Sequence, residues 1–100
     1  MITDKLKFKM LKAVKEEVHC FSFTVNGELV ERKPQSIELN DQSIKVYLLL
    51  DNRDVGKIEN IKLLDINKNV LFETNAIYYK EDIMGIYIGF MINSVSEVVN

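Results

Sequence analysis

The hydrophobic positions of this chain change period once. From residue 3 to residue 18, Leu6, Met10, Ala13, Val14 and Val18 recur at helical spacing with Lys5, Lys9, Lys12 and Glu16 opposite, which predicts an amphipathic helix. Thr3 suits its N-cap, and Asp4 suits the positive end of the helix dipole. Phe8 projects among the lysines, either as a docking contact or as a ring bent over the edge of the core.

After His19 the period becomes two. Phe21, Phe23 and Val25 share one face of a strand and Ser22 and Thr24 the other, and Asn26-Gly27 then supplies the pair that tolerates positive φ in a two-residue hairpin turn. Pro34 ends the second strand, because it cannot donate to a ladder. The short strand SIEL, the turn NDQ and the long strand SIKVYLLLD follow. In the long strand Ile44, Val46 and Leu48 alternate with Lys45, Tyr47 and Leu49, so its outer face dries toward the C-terminal end. NRDVGK reads as a loop. IENIKLLDI and VLFET form a second hairpin around the turn formers Asn67, Lys68 and Asn69. AIYY and a polar KED turn precede the final strand.

That strand, residues 83–92, has two dry faces. Met84, Ile86, Ile88, Phe90 and Ile92 line one, and Gly85, Tyr87, Gly89 and Met91 line the other, with no charge on either. Glycines on both sides of Tyr87 let a neighbouring element approach the backbone closely, or let an aromatic ring lie over it. Two covers for this second face are open: the helix, through Leu6, Met10 and Val14, or a neighbouring subunit.

One helix followed by seven or eight short strands predicts a mainly β fold, an antiparallel β-sandwich preceded by one N-terminal α-helix. A single domain spans residues 1–100, with the helix over 3–18 and the sandwich over 19–99. Length and composition agree: 100 residues, 47% apolar and 28% charged, with only four Gly and one Pro, describe a chain that folds around one core. With Cys20 as its only cysteine the chain has no intramolecular disulfide, which fits a reducing cytoplasm as the place of synthesis. Lysines interrupt the N-terminal apolar residues, so no signal peptide is expected. The longest charge-free apolar run, residues 83–92, is too short for a membrane span.

Net charge is −2, unevenly spread: residues 1–15 hold five Lys against Asp4, a balance of +4, and the rest of the chain is acidic. A lysine face could touch phosphates. Aromatic residues interleaved with Lys or Arg are missing, so a solvated helix face is the expectation and no nucleic-acid partner is expected.

Candidate chemistry is sparse. His19 and Cys20 invite a Cys/His nucleophile, but neighbours in an extended chain point to opposite faces, as a packed Cys beside a surface His. One His and one Cys are too few for a zinc site, and no metal or other cofactor is expected. DNRDVGKIENIK places Asp51 and Gly56 at positions one and six of a calcium loop, yet Arg53, Val55 and Lys62 stand at positions three, five and twelve, where oxygen ligands are needed. The Glu16-Glu17 and Glu81-Asp82 pairs suit a solvated helix end and a turn. Motifs for an activated serine, a phosphate loop or a zinc helix are absent, so no enzymatic activity is expected. Tyr78, Tyr79 and Tyr87 could form a ligand platform or could serve sheet packing.

The order of features carries a resemblance. A short amphipathic helix, FTVNG, a long strand after a polar turn, IENIKLLDINKNVLFETN and a closing GIYIGFMINSVSEV resemble the small β-sandwich proteins encoded among tail and baseplate genes of phages and prophages of Gram-positive bacteria. The matched positions are Ile61, Leu63, Asp65, Val70 and Phe72 in one segment and Gly85, Ile86, Ile88 and Phe90 in the last, within a likeness over residues 6–99. The lysine-rich helix and Gly89 depart from the pattern. The resemblance implies a virion or virion-assembly role and carries over no catalytic residue.

The expected function is therefore that of a non-enzymatic phage or prophage structural protein, a tail, baseplate or fibre-associated component located in the virion. It would act as a homo-oligomer or with other virion proteins, without a membrane. Its candidate interface residues are Tyr87, Gly85, Gly89, Met91, Tyr47 and Leu49 on the dry strand faces, with Phe8, Lys5 and Lys12 on the helix. The alternative is a small soluble adaptor or inhibitor that captures a host protein through a strand edge or through the Lys5, Phe8, Lys12 face.

Overall fold

The computed structural model describes residues 3–40, 42–81 and 85–93. Expected features on Asp41, on Asp82, on Ile83 and Met84 at the start of the last strand, and on 94–99 lie outside the described residues. Thr3 opens α1 (Asp4–Glu17) as its N-cap, its Oγ1 accepting from the Leu6 N–H at 3.2 Å. The helix buries a different stripe from the expected one. Leu11 is almost wholly enclosed, with Val14 and Val18 beside it, whereas Leu6 and Met10 are 47% and 37% exposed and Ala13 also faces solvent. Apolar residues cover much of the helix circumference, so periodicity alone left several stripes possible. Contact with the strands selects the one through Leu11.

Eight strands follow: β1 (Cys20–Val25), β2 (Glu28–Arg32), β3 (Ser36–Leu39), β4 (Ser43–Leu50), β5 (Gly56–Leu64), β6 (Val70–Thr74), β7 (Tyr78–Lys80) and β8 (Ile86–Asn93). They form two antiparallel sheets. The larger runs β2-β1-β5-β6, with β7 also paired to β5, and the smaller runs β3-β4-β8. Phe21, Phe23, Ile58, Ile61 and Leu63 of the larger sheet meet Ile44, Val46, Leu48, Leu50 and Ile88 of the smaller in one core, and the rings of Phe21 and Phe90 stack across it at 5.7 Å. Leu11 joins this core, and α1 lies against β3 and β4. The result is the expected β-sandwich behind one helix.

Local sequence explains the details of pairing. Asn26 and Gly27 have φ of 51° and 87°, the doubly left-handed turn that joins twisted strands. Ile58 and Ile61 are both fully buried although an odd spacing should send them to opposite faces. A β-bulge resolves the conflict: the β1/β5 register shifts between Ser22 and Thr24, and Asn60 takes φ of 57° and donates to Thr24 Oγ1. The second hairpin turns earlier than expected. Asp65 Oδ1 accepts from the N–H groups of Asn67 and Asn69, so β5 stops at Leu64 and Ile66 sits exposed in the turn.

Two side-chain clamps hold the loops between strands. Arg32 grips Asp54 with both terminal nitrogens, at 2.5 and 3.0 Å, and also donates to the Leu49 carbonyl at 3.3 Å. Asp54, 2% exposed, accepts in addition from the Asp51 N–H, and the guanidinium lies 5.3 Å from the Phe23 ring centroid. The larger sheet is thereby tied to the β4–β5 loop, in the NRDVGK segment. At the β1–β2 tip, Asn26 donates from Nδ2 to the Val55 carbonyl, and its Oδ1 accepts from the Lys57 N–H. Gly56 meets this amide with φ of 120°, and a Cβ there would overlap it.

Asp54→Ala should cost about 3 kcal/mol, because it leaves the Arg32 charge without a partner in a largely desolvated place; urea denaturation read by circular dichroism measures it. Gly56→Ala should destabilise by about 1–3 kcal/mol through its backbone conformation, and further through displacement of Asn26. The same denaturation checks it, and Gly27→Ala, which has open space around it, serves as the comparison for turn strain alone.

Candidate functional site

Because β4 and β8 turn their even-numbered residues toward the core, their odd-numbered residues form the outer face of the small sheet. The register sets Lys45 beside Met91, Tyr47 beside Gly89 and Leu49 beside Tyr87. Ser36 and Glu38 of β3 extend the face past Tyr47 and Lys45. Five of the candidate interface residues are thus gathered on one surface. Tyr87 is 62% and Met91 58% exposed, while Tyr47 and Leu49 are half-buried. Gly85, expected within the strand, lies just before β8, where an added Cβ would meet open space.

Gly89 shapes this face. A Cβ at Gly89 would stand 3.0 Å from Cε1 of Tyr47, so the Tyr47 ring lies directly over the glycine backbone. Beside it, Lys45, Tyr47, Gly89, Phe90 and Met91 line a shallow depression of about 200 Å³. The Tyr47 hydroxyl reaches Glu38 Oε2 only at 3.5 Å, a long contact that leaves the ring end loosely held. An apolar floor with one lysine and one glutamate at its margin can bind protein surface.

The helix does not cover this face. α1 contributes Leu11 to the core on the other side of β4, and Lys5, Phe8 and Lys12 are exposed on the helix, Phe8 by 38%. The structure therefore separates eight of the nine candidates into two surfaces, five on the small sheet and three on the helix, and leaves Gly85 just outside the strand. The three tyrosines proposed as a ligand platform are also apart: Tyr78 pairs with Ile58 and Tyr79 with Lys57 in the larger sheet, whereas Tyr87 belongs to the smaller. Lys45 was missed as a site residue because alternation marks it only as a polar interruption. Its place in the depression follows from strand pairing.

Several ionisable groups elsewhere hold turns and loops. Asp65 is held below the usual carboxylate range, first by the Asn69 N–H and further by the Asn69 side chain and the Asn67 N–H. Hydrogen bonds from the Arg53 side chain, and then from its backbone N–H, hold Asp51 well below that range. Burial, with Glu31 nearby, pushes the Cys20 thiol up, opposite to what a nucleophile needs. Cys20 is buried as expected, though beside Leu64 rather than in the main core. His19 turns its ring toward Lys33 Nζ at 3.2 Å. Lys80, buried at the end of β7, donates to the Glu81 carbonyl. Among the described residues no group of three His, Cys, Asp or Glu could hold a metal, and no helix is long and apolar enough to cross a membrane.

Comparison with protein-family models, with curated proteins and with solved structures finds no match to this chain.

Gly89→Ala should move the Tyr47 ring by a few tenths of an ångström while changing stability by less than about 1 kcal/mol, since the displaced group is a half-exposed side chain. Shifted Tyr47 ring resonances in an NMR spectrum, at a nearly unchanged unfolding midpoint, are the expected outcome.

Proposed function

We propose that the protein is a non-enzymatic structural component of a phage or prophage particle, part of or attached to its tail, baseplate or fibre, and that it works through protein–protein contacts on the outer face of β4 and β8. The observation that carries this reading is that two strongly exposed apolar side chains, Tyr87 and Met91, share one face with a depression that Gly89 and Met91 help line, with no covering element from the described residues. Exposed apolar surface of this kind is costly in water and typically marks a contact surface. The particle assignment draws on the resemblance of FTVNG, the Ile61–Phe72 segment and the Gly85–Phe90 segment to small tail and baseplate proteins.

Mass spectrometry of purified particles from a strain carrying the gene should find the chain in fixed stoichiometry with tail proteins. A chain missing from particles, recovered instead with one stoichiometric host protein, would replace this reading with that of a binding module.

A further inference from the structure

The edges of the two sheets are not alike. Edge strands expose unpaired backbone groups, and proteins that stay monomeric blunt them with charges, proline, bulges or short length. Four edge strands follow that rule: β2 carries Glu28, Glu31 and Arg32, β3 is four residues with Glu38, β6 is five residues with Glu73, and β7 is three residues with Lys80. β8 is the exception. It runs for eight residues, IYIGFMIN, with no charge and no proline, in register with β4 throughout, and among the described residues it pairs with β4 alone.

The core is also incomplete along this edge. Ile44, Val46 and Leu50 of β4 are fully buried, whereas their β8 neighbours Ile92, Phe90 and Ile86 remain half-buried. Both faces of β8 thus carry apolar surface that a further strand would cover.

We propose that β8 is a dimerisation edge whose partner is β8 of a second copy, paired antiparallel about a twofold axis to give a continuous six-stranded sheet β3-β4-β8-β8-β4-β3. This inference names the first partner of the assembly surface and rests on that functional reading. A twofold axis normal to the sheet makes one residue face its own copy, so outer-face residues meet outer-face residues and core-facing residues meet core-facing ones. Centring the axis on Gly89 keeps nearly the full strand in overlap. It pairs Tyr87 with Met91 of the other copy, Ile88 with Phe90, and Ile86 with Ile92. Every pair is apolar, and the exposed ring meets an exposed thioether, a favourable contact. No charge is placed opposite a like charge.

The experiment is sedimentation velocity of the purified full chain at tens of micromolar, with three variants at exposed positions that leave the core untouched. The wild type should sediment at twice the chain mass of 11.6 kDa. Tyr87→Lys/Met91→Lys sets lysines against lysines across the axis and should shift the protein to monomer, with at least a tenfold weaker association. Tyr87→Lys/Met91→Glu sets lysine against glutamate in the same register and should restore the dimer. Tyr87→Cys/Met91→Cys should form a disulfide-linked dimer on oxidation. A monomeric wild type, or a dimer indifferent to the lysine pair, overturns the inference, as does a dimer equally weakened by both charged variants. The particle inventory fails independently: a monomer found in virions removes only the dimer, and a dimer absent from virions removes only the virion role.

Discussion

Ile44, Val46, Leu48 and Leu50 of β4 are wholly removed from solvent, and the rest of the molecule is arranged around that burial. A strand can bury only every second residue on one face, so this choice also fixes Lys45, Tyr47 and Leu49 on the opposite side. Through the β4/β8 register the same parity places Ile86, Ile88, Phe90 and Ile92 inward and Tyr87, Gly89 and Met91 outward. Each large side chain moved from water to core contributes about 1.5–3 kcal/mol, so a one-residue slip of either strand would exchange several such terms for exposure. The outer face is in this sense a by-product of core formation, made distinctive by Gly89 and by the aromatic ring laid over it.

The larger sheet meets the same demand by a different device. Ile58, Ile61 and Leu63 must all face inward, and the Asn60 bulge absorbs the extra residue that their spacing requires. The Arg32–Asp54 pair then ties that sheet to the loop leaving β4, and Asn26 ties its hairpin tip to the start of β5. Both clamps satisfy backbone groups near loops that would otherwise be left without partners. They hold the β4–β5 crossover, the connection that passes the chain from the small sheet to the large one.

Edges and faces together describe a molecule whose polar resources are unevenly spent. Charges guard the rims of the larger sheet and the β3 side of the smaller one, while β8 is left apolar on its edge and on both faces. Most of the α1 lysines are left in solvent. The assembly role proposed above would give that distribution a use, since a surface costly in water as a monomer becomes buried area in a complex.

Much of this was legible from residue order alone. The switch from period 3.6 to period 2, Thr3 as a cap, the Asn26-Gly27 turn and the alternation along residues 43–50 and 86–92 are local signals, and each local element formed nearly where its own residues placed it. The small-sheet site was readable for the same reason: parity alone puts Tyr87, Gly89 and Met91 on one face and Tyr47 and Leu49 on another. Tertiary structure decided what lies opposite. It joined those two faces through the β4/β8 register, chose Leu11 over Leu6 and Met10 as the buried stripe of α1, matched Arg32 with Asp54 across twenty-two residues, and left β8 at an edge. Periodicity reports which side chains share a face, because that depends on one segment's geometry; what each face meets depends on two segments distant in sequence, and only the folded chain brings them together.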